Sequence, residues 1–219
     1  MREQRPRQRY GLILPGERDS LQFRNDDAEA APPYAVMEII GSGFRGTGGT
    51  RPYLKCQQPS DTFCRFYAVN RAQSIDPGEF GRCTLLAPAF VLCEDGVETP
   101  TLFAGWGPHS GSWELHPYRH GFTSLGNVTG SNDDSDRRAW FTQREVNQVK
   151  GYLTDPLSLG ATASIEIWVG EGGSEFDSGM LLVTRDWLMK SGASDIAAET
   201  KVLAEFDCGV WYISEAQCP

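Results

Sequence analysis

Three histidines, His109, His116 and His120, fall in one stretch with Trp106, Trp113 and Tyr118. Imidazoles four residues apart, as His116 and His120 are, can share a metal when a helix stacks them on one face. Pro117 lies between them and glycines surround them, so a loop is expected rather than a helix, and no metal site. The rings of the same stretch suggest a second chemistry, a ligand surface on which sugars stack against exposed Trp106, Trp113 or Tyr118. Against it stands the tendency of aromatics in a compact β domain to fill the core. Gly41-Ser42-Gly43-Phe44-Arg45-Gly46 fits G-x-G-x-x-G and follows the apolar run Ala35–Ile40. A dinucleotide turn must open a helix, which Thr47-Gly48-Gly49-Thr50-Arg51-Pro52 cannot sustain, so the motif reads as a glycine-rich hairpin loop.

Asp76 with Glu79, and Asp133 with Asp134, are carboxylates close in sequence. Glycoside hydrolysis requires a set separation in space, which sequence proximity does not supply, and these read as solvated loop charge. G-x-S-x-G, H-E-x-x-H and P-loop patterns are absent, as is a suitable Cys–His arrangement. No catalytic residue, cofactor or metal is expected. Asn127-Val128-Thr129 matches the glycosylation sequon but carries no weight without a secretory route.

The six cysteines are Cys56, Cys64, Cys83, Cys93, Cys208 and Cys218. Cys56 and Cys64 flank a turn-forming stretch and Cys83 and Cys93 flank Pro88, so each pair can face across a hairpin. Cys208 and Cys218 lie about 33 Å apart on a straight strand, and pairing them needs a bend. Without a signal peptide, buried free thiols are the first reading, disulfides formed in an oxidising medium the second, and zinc a distant third in the absence of C-x-x-C.

The elements holding these residues follow from composition. With 40% hydrophobic and 11% aromatic residues in 219, the chain can build one large core or two small ones. The 24 Gly and 13 Pro punctuate it at short intervals, which suits strands and tight turns. No run approaches a membrane-spanning length, and Leu12-Ile13-Leu14 is too short for a signal-peptide core, so a soluble chain kept in a cytoplasm is expected. A net charge of −9 argues against nucleic acid as the main partner. The first residues are the exception, with Arg2, Arg5, Arg7 and Arg9 against Glu3 alone. They form either a disordered tail or an arm that orders on an acidic neighbour. In the second case Arg5, Arg7 and Arg9 supply charge, while Tyr10, Leu12, Ile13 and Leu14 each gain roughly 1.5–3 kcal/mol on burial, against about 1–2 kcal/mol per residue of backbone ordering.

Beyond the arm, residues 1–19, strands are predicted at Ser20–Arg24, Tyr34–Ile40, Arg51–Cys56, Phe63–Asn70, Gly81–Leu86, Ala89–Glu94, Ser112–Leu115 and Gly121–Val128. A second set covers Arg138–Gln143, Val149–Leu153, Ala161–Val169, Met180–Arg185, Lys201–Phe206 and Val210–Ser214. The acidic run Ser131–Asp136 separates them, as a domain boundary or a long exposed loop. The fold expected is all-β, one or two small antiparallel barrel or sandwich modules over residues 20–130 and 137–219. Asp195–Leu203 has room for a helical turn. Ile165, Ile167 and Val169 alternate with Glu166 and Trp168, a period of two with apolar groups on both faces.

Leu21-Gln22-Phe23-Arg24-Asn25-Asp26 through Pro32-Pro33-Tyr34-Ala35-Val36-Met37 resembles the opening strand, Asn-Asp turn and proline-led second strand of small β-rich virion proteins of tailed bacteriophages. Gly105-Trp106-Gly107-Pro108 with Gly111-Ser112-Trp113, and Gly209-Val210-Trp211-Tyr212-Ile213 with Cys218, are similar to the middle and end of the same group. The resemblance implies a structural protein of the virion assembled in the host cytoplasm: a capsid cement or decoration protein, or a neck, tail or fibre accessory with a glycan-binding surface. Its partners would be the major capsid protein or other virion subunits, and it would form a homo-oligomer, a trimer among the options. The resemblance implies neither an enzyme nor a nucleic-acid or membrane binder.

Overall fold

The computed structural model describes residues 20–64, 66–85, 88–94, 100–127, 138–143, 146–158, 160–169, 176–186, 195–207 and 210–217. Among these there is no helix, and fifteen strands form three sheets. The all-β expectation holds.

The first sheet contains β1 (Leu21–Asn25), β2 (Val36–Arg45), β3 (Arg51–Gln57), β4 (Tyr67–Asn70) and β5 (Phe80–Thr84), closed into a barrel in the order β1-β3-β2-β4-β5. Gly41 and Gly43 lie inside β2 rather than in the hairpin loop, which is instead made by Gly46, Gly48 and Gly49 with φ of 96°, 80° and 62°. Only glycine adopts three such values at little cost. Two buried amides hold the loops beneath the barrel. Asn25 Nδ2 donates to the carbonyls of Glu29 (2.7 Å) and Ile75 (2.9 Å), and Asn70 Nδ2 donates to those of Pro32 and Gln73, both at 2.7 Å.

The middle sheet has β6 (Ala89–Leu92), β7 (Gly105–Pro108), β8 (Leu115–Pro117), β9 (Phe122–Asn127) and β10 (Arg138–Gln143), in the order β6-β10-β9-β7-β8. Its outer strands meet through one parallel bridge, Cys93 to Leu115, with Glu94 N donating to Leu115 O at 2.9 Å. The acidic run read as a boundary, residues 131–136, lies outside the described residues, yet β9 and β10 on either side of it pair within this sheet. Arg138–Gln143 therefore joins the strands before it. β7 lies on Gly105–Pro108, where no strand is predicted, and of Ser112–Leu115 only Leu115 is in a strand, at the start of β8.

The third sheet closes β11 (Gln148–Leu153), β12 (Thr162–Val169), β13 (Phe176–Asp186), β14 (Lys201–Asp207) and β15 (Val210–Ala216) in the order β11-β12-β13-β15-β14. The helical turn allowed at Asp195–Leu203 is absent: Ile196 bridges to Leu157 and Lys201 opens β14. Ladder hydrogen bonds on both sides satisfy the backbone there, which outweighs a weak local helix preference. Ala163, Ile165, Ile167 and Val169 point inward as their alternation required.

Numbered within its own ring, the third barrel runs first-second-third-fifth-fourth with the third and fifth strands parallel, a Greek-key order found in OB-type barrels. The first barrel has the same ring when its strands are counted from β4, its parallel pair being β1 and β3. The two are circular permutations of one order. They are tied to the rest of the molecule by shared groups. Val36, Tyr67 and Val69 of the first barrel belong to the middle core, while Phe63 from its connecting loop packs in the third core against Trp211. Phe63 N donates to Leu181 O at 2.7 Å.

Candidate functional site

Polar chemistry concentrates in the middle sheet, between Glu94 and His120. The bridge of Cys93 to Leu115 sets Glu94 beside β8, and His116, next along that strand, meets it: Nδ1 lies 2.7 Å from Glu94 Oε2. On its other side His116 Nε2 lies 3.2 Å from Ser112 Oγ, which also accepts a hydrogen bond from Glu114 N at 3.2 Å. His109 stacks on His116 with ring centroids 4.6 Å apart, held by its own Nδ1 contact of 2.7 Å to Ser110 O.

Burial pushes the His116 pKa down to about 4, and the charges of His109 and Arg119 press the same way. The neighbouring Glu94 carboxylate favours the charged ring, but the ring is neutral near pH 7. A carboxylate can only accept, so the single ring proton sits on Nδ1 facing Glu94. Nε2 then carries a lone pair, and the Ser112 hydroxyl donates to it.

Arg119 follows on the same segment. Its guanidinium Nε and Nη1 are enclosed and have no acceptor. Gly107 makes room for this segment: a Cβ there would come 2.2 Å from the His120 carbonyl oxygen and 2.8 Å from Arg119 Cβ. Arg119 and His120 line a cleft of about 600 Å³ between the middle sheet and the third barrel, together with Phe103, Asn147, Gln148 and Glu205. Gln148 Nε2 donates to Glu205 Oε1 at 2.7 Å across its floor. Phe103 at its rim is 74% exposed with φ of 66°, an unusual conformation for a bulky residue. Tyr118 is 51% exposed with φ of 58°.

Of the ring surface anticipated from sequence, only Tyr118 is presented to solvent. Trp106, 1% exposed, packs on Phe141 in the middle core, and Trp113, 8% exposed, belongs to the core of the first barrel. Neither indole can stack on a sugar from where it stands. No group of three or more metal-ligating side chains occurs among the described residues. Asp76 and Glu79 belong to a tight turn, with Glu79 N donating to Asp76 O at 3.1 Å. The arm residues Arg5, Arg7, Arg9, Tyr10, Leu12, Ile13 and Leu14 lie outside the described residues.

Cys56, Cys64, Cys83 and Cys93 are free thiols. The facing pairs suggested by the turns do not arise, since Cys83 and Cys93 belong to different cores, while Cys56 shares the first core with Cys83. Cys208 and Cys218 lie outside the described residues. Glu94, Ser112 and Phe103 went unremarked in the sequence: Glu94 reaches His116 only through a long-range bridge, and Phe103 stands out only by its backbone angle.

The chain matches no protein-family model, no curated protein and no solved structure.

Proposed function

We propose that the chain is a structural protein of a tailed-bacteriophage particle, a cement or decoration protein that joins other virion subunits through its basic arm and β body. The observation that carries this reading is a body with few free edges. Among the described residues two barrels close and one isolated bridge joins the segment after β6 to β8 of the open middle sheet, which favours a stiff part presenting chosen contacts over one that pairs indiscriminately. The β2–β3 hairpin offers such a contact, with Phe44 70% and Ile40 45% exposed. An arm engaging a second patch would multiply the affinity, and more so in a symmetric oligomer. Deleting residues 1–19 and measuring co-sedimentation with assembled shells tests the arm: a folded body that no longer sediments is expected, and unchanged sedimentation refutes the role.

The cleft favours a second reading, a neck, tail or fibre accessory that holds a glycan. Its rim bears an exposed aromatic ring and its floor carries amide and carboxylate groups suited to hydroxyls. Binding on a glycan array that disappears in Phe103→Ala supports it; an array with no binder removes it.

A further inference from the structure

We propose that Ser112 is an activated nucleophile toward esters and other activated acyl groups, with His116 as its base and Glu94 as the residue that positions the base. The inference is independent of any place in a particle. Three requirements of a serine nucleophile are met by Ser112 and His116 of one segment with Glu94, which a long-range bridge brings beside them. The hydroxyl lies 3.2 Å from an imidazole nitrogen. That nitrogen must be the acceptor, because the carboxylate 2.7 Å from Nδ1 claims the only proton of the neutral ring. The carboxylate therefore fixes the tautomer that lets the ring take a proton from serine, the role of the third member of a serine triad. Access exists, with the His116 and Glu94 side chains 14% and 30% exposed and Ser112 half-buried.

In the step proposed, Ser112 Oγ attacks the ester carbonyl as its proton passes to His116 Nε2. The leaving alkoxide takes that proton and departs as the alcohol. Water, deprotonated by the same nitrogen, then releases the carboxylic acid and restores the serine.

A fluorophosphonate probe reports the first step directly, since attack by Oγ forms a serine–phosphorus bond and expels fluoride. With the full chain, labelling at Ser112 is expected, read by mass spectrometry of the peptide and lost in Ser112→Ala. His116→Gln is expected to slow it about 100-fold, the usual size of general-base assistance. Glu94→Ala should slow it about tenfold or more. Glu94→Gln, whose amide can donate to Nδ1 and so put the ring proton on Nε2, should slow it at least as much as Glu94→Ala although the side chain keeps its shape, a loss that a purely structural role does not predict. Absence of label at Ser112, or a rate unchanged in His116→Gln, overturns the proposal. If His116→Gln fails to fold, equal rates in Glu94→Ala and the unaltered chain overturn it instead.

Discussion

The first and third barrels share a ring order and fill it with different materials. The third packs branched aliphatics, with Leu153, Ile165, Ile167, Leu182 and Ile213 almost wholly enclosed. The first sets Phe23, Met37, Ile75 and Trp113 among small groups: Ala31, Ala35, Ala68, Cys56 and Cys83. Ring order sets which strands touch, while core volume is settled side chain by side chain. In each barrel a strand glycine faces close neighbours, and the surroundings of the two differ. A Cβ on Gly151 in β11 would lie 2.2 Å from the Glu166 carbonyl oxygen, which the β11–β12 ladder holds. On Gly81 in β5 it would meet the side chains of Phe23 at 2.5 Å and Ile75 at 2.7 Å. Side chains can rotate away; a paired backbone cannot. Gly151→Ala should therefore cost about 3 kcal/mol, the upper end of overpacking, and Gly81→Ala about 1–2 kcal/mol. For a chain of this size that is roughly 6–12 °C against 2–8 °C in melting temperature. Equal losses would mean that the barrels yield alike.

How far these differences could be read beforehand depends on range. The alternation in Thr162–Val169 and the Gly and Pro punctuation gave the strands and the all-β class, because both are local consequences of a pleat with period two. The three-sheet partition was hidden, since β9 and β10 pair across the acidic run that looked like a boundary. The site was partly visible: the stretch from Trp106 to Phe122 drew attention for its rings and histidines. Its working groups could not be chosen, because burial of Trp106 and the meeting of Glu94 with His116 depend on contacts far apart in sequence.

The middle sheet differs from both barrels in carrying a histidine that folding holds neutral. His116 is near pKa 6.5 when unfolded and about 4 when folded, through burial first and then His109 and Arg119, with Glu94 opposing. Between those values the unfolded chain binds the extra proton, so stability falls as pH drops from about 6.5 to about 4. The loss should be on the order of 3 kcal/mol. Urea unfolding across that range should show it, and His116→Gln should flatten the dependence. Amide exchange should place the loss in β8 before β12; loss appearing first in β12 would reverse the contrast.

The smallest effect separates the barrel interiors. Desolvation is the main influence on the thiols of the first core, raising Cys83 to about 12 and Cys56 further. At pH 8 the native protein then presents almost no thiolate at either site, and only unfolding returns them to about 8.5. Iodoacetamide should leave both unmodified until denaturant is added, while Cys56→Ala should cost about 1 kcal/mol, since one enclosed sulfur is removed from a site lined by small groups. A comparable trim in the third barrel, Ile167→Val, should also cost about 1 kcal/mol, by deleting one methylene. If Cys56→Ala costs several times more than Ile167→Val, the small-residue core is the less adaptable of the two, and its thiols serve to fill space that no neighbour can close.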